Sequence, residues 1–484
     1  MVQAFAPRLP RGCSWVMPAI FGLALPWSAF GQAPPAEPAK AAPAAAPAPA
    51  PAKAADADDD APKEERFIDP NAKKALAIFK PLTYLLGPPI KTTGAANDLT
   101  RVQNMAAQVV NFDPDFLKKY VEYFAVELSK RDNINAIINP PPGLAPAKAR
   151  GLEVAVDALT RPIIDGKANN NTKFLTDYTK ILFESSLPKL LDNNFFTRLD
   201  AMIVLGMAGG TTREALDLYA AQLKIPDQIV GVKMWAARGF TIAAQSGRAN
   251  IDAFRAITGA DALVTFLNSD PKLPYFAQWR ALEALGSIRV ATAARPGLNL
   301  DAASAVAGFL VDPKARLETR AYAAWALGMM RVAAQVDPYN FKLAGSEIGE
   351  LAATLGIKIV AEYDENADTF DRDSDQARSL AALLIFQVVP SLSGEETPTD
   401  SGLLRSTHPN AADAKPFLTK LDEKVKAVSR EAFELLRAGG TAQKVRRNEL
   451  AAKVSDLKTF LDQNKPKDRR LVPNGPLLPD NIPK

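Results

Sequence analysis

A three-position pattern that recurs five times along the middle of the chain constrains the fold more than anything else in the sequence. A basic or amide residue is followed three positions later by Ala and seven positions later by a large apolar residue. The segments are Arg198, Ala201 and Leu205; Lys233, Ala236 and Phe240; Gln278, Ala281 and Leu285; Arg320, Ala323 and Leu327; and Arg378, Ala381 and Ile385. Offsets of three and seven lie on one helical face. The starts are 35, 45, 42 and 58 residues apart, room for two helices per unit. A lone helix pair cannot bury both its faces, so units repeated at such a period must stack on one another. The expected fold is all-α, an α-α superhelix.

The third and fourth copies carry more of a motif. Asp270-Pro271 precedes Gln278-Trp279-Arg280-Ala281-Leu282-Glu283-Ala284-Leu285-Gly286, and Asp312-Pro313 precedes Arg320-Ala321-Tyr322-Ala323-Ala324-Trp325-Ala326-Leu327-Gly328. Asp-Pro ends one helix and starts the next, Ala permits close approach, and Leu fills the seam. This resembles HEAT repeats, in particular the bacterial HEAT-like type first named in phycobilisome lyases. The family name travels with the repeat and not with the lyase activity. The resemblance covers residues 170 to 392 and reaches 97 to 168 only by helix pairing; Asp192 and Asp227 supply the turn acid without Pro.

Two readings attach to the residues that open the second helices. The resemblance implies a hydrogen-bonded ladder between turn acids and Arg198, Lys233, Arg320 and Arg378. The alternative is a strip of Arg198, Lys233, Gln278, Arg320 and Arg378 on the concave face, receiving an acidic protein partner. Trp235, Trp279 and Trp325 lie in the same helices and read first as core, second as peptide anchors.

Residues 1–31 combine Arg8 and Arg11, an apolar stretch from Trp15 to Trp27 and Ala29-Phe30-Gly31, the pattern of a secretory signal peptide. An uncleaved anchor is the weaker reading, since the stretch is short and holds Pro18 and Pro26. Cleavage would take two arginines from a net charge of +4, and with them Cys13, the one cysteine. A disulfide framework, nucleic acid as partner and a membrane span in the mature chain are therefore not expected. Residues 32–66 collapse to Ala, Pro and Asp and are expected to be a disordered linker, either an extended spacer or an inert leader.

Residues 67–168 read as degenerate helix pairs. Phe116, Leu117, Tyr120, Val121, Phe124 and Leu128 share a face after Asp113-Pro114, as do Leu152, Ala155, Val156 and Leu159. Repeats fill 169–392 and a loop 393–415. Over 416–464, Phe417, Leu421, Val425, Val428, Ala432 and Leu435, then Leu450, Val454, Leu457 and Leu461, show heptad spacing around a Gly439-Gly440 turn. The expected hairpin either caps the last repeat or pairs with another protomer. The Pro-rich tail 465–484 docks in a groove, its own or a partner's, or has no fixed structure.

The chemistry a chain can perform is bounded by one histidine, His408, beside Pro409 in a loop. Thiol and Ser/His/Asp nucleophiles are thus nearly excluded, and no phosphate-binding Gly-rich loop follows a strand. The acidic run Glu362 to Asp375 fails as an EF-hand, because Gln376 and Ala382 stand where Gly and an acid are needed. No cofactor or metal is expected. The expected function is an exported scaffold for protein–protein interaction in the cell envelope or extracellular space. The alternatives are an α-helical enzyme acting on envelope polysaccharide or peptide, and a calcium-stabilised structural protein.

Overall fold

Short polar side chains open seven of the described helices. Asp113, Asn171, Asn194, Thr212, Asp252, Asp301 and Asn340 each accept a hydrogen bond from the backbone N–H three residues on. Each such cap contributes about 1 kcal/mol. A computed structural model describes residues 95–479, apart from 139–150, 248–250, 296–297, 333–338, 368, 371–373, 397 and 399. These residues all belong to one unit, Phe67–Lys484. The expected signal peptide and linker lie outside the described residues.

The described residues form an all-α fold. In order come α1 (Ala95–Ala106), α2 (Pro114–Ser129), α3 (Arg131–Ile138), α4 (Gly151–Ala168), α5 (Thr172–Glu184), α6 (Phe195–Ala208), α7 (Arg213–Lys224), α8 (Val230–Gly247) and α9 (Ala253–Leu267). Then follow α10 (Tyr275–Ile288), α11 (Ala302–Val311), α12 (Leu317–Met329), α13 (Phe341–Glu365), α14 (Asp375–Leu383), α15 (Val389–Ser393), α16 (Ala411–Arg437) and α17 (Thr441–Gln463). The expected faces are buried: Leu117, Tyr120, Val121, Phe124 and Leu128 on α2, and Leu152, Ala155 and Leu159 on α4.

Packing runs along two rows. In the first, α4 packs on α6, α6 on α8, α8 on α10 and α10 on α12; in the second, α7 packs on α9 and α9 on α11. Each second-row helix also packs on the first-row helix that follows it, as α9 does on α10 and α11 on α12. In three of the five copies the residue after the large apolar position is glycine, and it lets another helix come close. A Cβ on Gly206 would lie 2.5 Å from the Trp235 carbonyl oxygen, one on Gly286 would strike the Trp325 ring, and one on Gly328 would strike the Ser391 backbone.

Several local expectations are revised. Asp-Pro does not open the following helix: Asp270 and Asp312 accept from the N–H two residues on, and α10 and α12 begin only at Tyr275 and Leu317. The acid ends one helix and shapes a turn. A two-stranded antiparallel hairpin, Thr292–Arg295 with Leu298–Asp301, joins α10 to α11, with strands too short to show an alternating pattern. The last helical pair starts earlier than Pro416, at Ala411, so this proline sits inside α16.

Helices α16 and α17 pack on each other and both on α13. Their heptad residues Leu421, Val425, Val428, Ala432, Leu435, Leu450, Val454, Leu457 and Leu461 are buried. Gly345, Gly349 and Gly356 of α13 face Leu418, Leu421, Leu461 and Val454 directly. The tail docks on its own chain: Leu471 and Leu478 are buried, Asn340 N–H donates to the Leu471 carbonyl at 2.9 Å, and Arg469 pairs with the buried Glu347 of α13.

Gly328→Ala and Gly308→Ala should move stability in opposite directions. The first forces backbone apart and should cost about 2–4 kcal/mol, whereas Gly308 of α11 meets nothing within 4 Å and should gain about 0.5–1 kcal/mol from helix propensity. Urea unfolding of the two variants checks the pair.

Candidate functional site: the first-row helix face

The residues that open the repeats turn inward. Arg198, Lys233 and Arg320 are 5 %, 3 % and 7 % exposed. Arg198 Nη1 donates to Gln228 Oε1 at 3.1 Å, Lys233 Nζ to the Pro226 carbonyl at 3.5 Å, Gln278 Nε2 to the Leu273 carbonyl at 2.9 Å and Arg320 Nε to the Leu310 carbonyl at 2.8 Å. Lys233, Gln278 and Arg320 thus satisfy backbone carbonyls of the preceding turn or helix end, where an acid-to-base hydrogen bond was expected. Burial holds all three cations below their ordinary pKa, with Asp227 acting the other way on Lys233, and Glu347 and Asp312 on Arg320. Arg378 differs: it is exposed on α14 and pairs with Asp375 one turn back at 3.1 Å. The structure does not bring Arg378 together with the other four.

Another set of side chains lies half-buried on the same helices, on the face one position away. The helical period that points Arg198, Ala201 and Leu205 inward leaves Asp200, Ile203 and Met207 partly open, and on α8 it leaves Met234, Trp235 and Arg238. On α10 the corresponding residues are Trp279, Arg280, Glu283 and Ser287, and on α12 Trp325. Because first-row neighbours pack side by side, these positions join into a strip.

Its centre is an ion cluster beside an aromatic platform. Glu283 accepts from Arg238 Nη1 at 2.9 Å on one oxygen and from Arg280 Nη1 at 2.8 Å on the other. The three side chains are 15 %, 31 % and 16 % exposed, so the pairs are worth more than surface ion pairs. The Arg280 guanidinium lies over the Trp279 ring at 5.0 Å, and that ring meets Tyr322 of α12 at 4.8 Å. Trp325 Nε1 donates to Glu395 Oε1 at 2.8 Å. Trp235 and Trp325 lean on the glycines of the preceding first-row helices, whereas Trp279 carries the Arg280 guanidinium over its ring.

At the α4 end of the strip, Asp200 has its carboxyl pKa pushed up to about 7, by burial and then by the charge of Glu153. Lys167 is held below the ordinary lysine value, by burial and then by Arg238. The strip therefore offers aromatic area, a charge-compensated Arg–Glu–Arg cluster and a carboxyl that titrates near neutrality. Arg238, Arg280, Glu283 and Asp200 were not singled out from sequence, although each stands within a turn of a flagged Trp or Arg.

The other flagged groups serve packing. Glu362–Glu365 form the last turn of α13, and Asp364 is gripped by the Arg447 guanidinium of α17, with Nε to Oδ1 at 2.8 Å. Asp368, Asp371 and Asp373 lie outside the described residues. Among the described residues no group of three or more His, Cys, Asp or Glu is placed to hold a metal ion. His408 is buried, accepts on Nδ1 from the Asn410 N–H at 3.2 Å and rests against Phe341. No family model, no curated protein and no solved structure matches this chain. Among the described residues no helix is long and apolar enough to cross a membrane.

Two outcomes follow from these environments. Arg320→Gln should cost about 1–3 kcal/mol, because the Leu310 carbonyl loses its donor inside the core, whereas Arg378→Gln should change stability by less than about 0.5 kcal/mol; thermal unfolding separates them. The folded state holds the Asp200 proton up to about pH 7 while the unfolded chain releases it near 3.8. Stability therefore falls as pH rises through that window. Asp200→Asn should flatten the fall by about 1–2 kcal/mol, discounted for partial exposure, as read from urea midpoints at pH 4 and pH 8.

Proposed function

We propose that the chain is an exported α-solenoid of HEAT-like repeats that works as a scaffold, binding a protein partner in the cell envelope or extracellular space. Support for the solenoid comes from the repeat period near 40 residues and from two rows of helices in which each packs on its successor. The first row then lines the concave side. Support for export is the signal-like pattern of residues 1–31 and a body that offers no cysteine after it. The reading assigns the protein no catalytic step.

One observation carries the binding reading: the half-exposed strip centred on Trp279, Arg280, Arg238 and Glu283. Trp, Tyr and Arg in partly desolvated, pre-formed settings are the residue types that dominate binding energy at protein interfaces. Here their side chains are already held by one another, so little ordering is lost when a partner docks. Arg198, Lys233 and Arg320 are committed to the turns and expose too little to serve as the contact surface.

The test places a photo-crosslinking amino acid at Ser287, on the strip, or at Thr258, an equally half-exposed position of the second-row helix α9, in chain expressed in its own host. A discrete adduct at position 287 that is missing at 258, and that weakens roughly tenfold when Trp279→Ala is added, is the expected result. Equal labelling at both positions, or an adduct indifferent to Trp279, would sink the reading. Mass spectrometry of the mature N-terminus in the same cells checks export, with Gln32 expected as the first residue.

A further inference from the structure

The loop that follows α15 builds a second, smaller site. Its path is fixed by close backbone contact. Gly394 and Gly402 have φ of +82° and +85°, and a side chain on either would run into the other's neighbourhood. The Gly402 N–H donates to the Gly328 carbonyl at 2.9 Å, and the Glu395 N–H donates to Ser401 Oγ at 2.8 Å. From the far side comes Arg289, 3 % exposed and itself in the left-handed region at φ 67°. Its Nε donates to the Met329 carbonyl at 2.7 Å, Nη1 to Asp400 Oδ1 at 2.5 Å and Nη2 to the Asp400 carbonyl at 2.8 Å. One buried guanidinium thus ties the end of α10, the end of α12 and the loop together.

Between these parts lies a cleft of about 210 Å³, bounded by Gly328, Arg331, Asp400, Arg405, Thr407 and His408 and floored by Tyr339 and Phe341. Asp400 is the one carboxylate among its described lining residues, and Arg289 and Arg331 both pair with it. Arg405 adds a third guanidinium, with Nη1 donating to the Glu395 carbonyl at 2.6 Å. The Arg289, Arg331 and Arg405 guanidinium groups stand against the Asp400 carboxylate and the charge of Glu395, which also acts on Arg289, so this corner of the molecule is basic by one formal charge. Burial, and then the charge of Arg289, hold Arg331 below its ordinary pKa.

We propose that this cleft binds a small oxyanion, a phosphate-sized group whose oxygens are held by the Arg331 and Arg405 forks with the Thr407 hydroxyl. Guanidinium groups suit this ligand because their planar donors match two oxygens at once. The volume fits: liquid water takes about 30 Å³ per molecule, so the cleft has room for a tetrahedral oxyanion and a few waters. Asp400 acts as the built-in competitor. It holds Arg289 in place and draws off part of the Arg331 charge, so the site should bind weakly and reversibly, and loss of the Asp400 charge should strengthen it.

The experiment uses the mature full chain and the probes sodium phosphate and sodium acetate, each against sodium chloride at equal ionic strength. Binding is followed by the rise in unfolding temperature and by ³¹P line broadening. A saturable rise with a midpoint near millimolar is expected, as stabilisation follows ligand concentration over Kd. Arg331→Gln and Arg405→Gln should each weaken the midpoint roughly tenfold, and Arg331→Lys, which keeps the charge and loses the fork, should weaken it several-fold. Asp400→Asn should tighten it several-fold, a change that a purely structural role for Asp400 would not produce. Arg316→Gln, on an exposed arginine at the start of α12, is the control that leaves binding unchanged. Phosphate alone active assigns a phosphoryl ligand; acetate active as well assigns any small oxyanion group, carboxylates included. A rise no greater than chloride gives, or one untouched by the Arg331 and Arg405 variants while Arg316→Gln removes it, would overturn the proposal. Should an arginine variant fail to fold by near-ultraviolet circular dichroism, Arg331→Lys and the phosphate-to-chloride comparison on the unaltered chain decide it.

Discussion

The close approach of helices within and against the first row, made possible at three points by glycine, is the contact on which the strip depends. Gly206 admits the backbone of α8 at Trp235, Gly286 admits the Trp325 ring of α12, and Gly328 admits the backbone around Ser391. Glycine inside a helix costs about 0.5–1 kcal/mol relative to alanine, and here that cost is offset by packing that no larger residue permits. Because each first-row helix sits so near the next, residues a repeat apart become neighbours. Arg238 reaches Glu283 across 45 residues and Trp279 reaches Tyr322 across 43. The strip is a product of the seam.

The same packing decides which charged groups are structural. A cation at the start of a first-row helix points back under the preceding turn, where water is excluded and carbonyls at a helix end lack intrahelical donors. Lys233 and Arg320 meet that need and lose exposure in doing so. Cations further along and one face over keep an aqueous side and pair with a carboxylate instead, as Arg238 and Arg280 do with Glu283. On α8 the two basic residues, Lys233 and Arg238, therefore have different work, separated by about 140° around the helix axis.

The division between what could and could not be read from sequence follows contact range. Helix starts such as Asp113-Pro114 were legible because the cap, its acceptor and the apolar face lie within one turn of each other. The heptad residues of α16 and α17 were legible for the same reason. Helix α13 was not, since Gly345, Gly349 and Gly356 look like breakers until Leu418, Leu461 and Val454 are seen filling the space they leave. Nor was the role of Arg289, whose partner Asp400 lies 111 residues away in a loop without pattern. At the strip the tryptophans were visible and their functional neighbours were not: a periodicity search finds the buried face, and Arg238 and Glu283 sit beside that face.

The strip and the cleft differ in what they ask of the fold. The strip is drawn from four helices of one row, so its shape follows any change in the angles between those helices, and such flexing would alter the spacing of Asp200, Arg238 and Trp279 together. The cleft beside Asp400 is held by a buried arginine, two glycines at positive φ and a short hydrogen-bonded loop, and it would keep its geometry through such flexing. A broad surface that adapts and a small site that does not are suited to different ligands. The first favours a macromolecule that can follow the curvature, and the second favours a compact group whose oxygens must meet fixed guanidinium planes. Occupation of the second would also act on the first, because Trp325 donates to Glu395 in the very loop that closes the cleft. An oxyanion that steadied this loop would steady the last tryptophan of the strip.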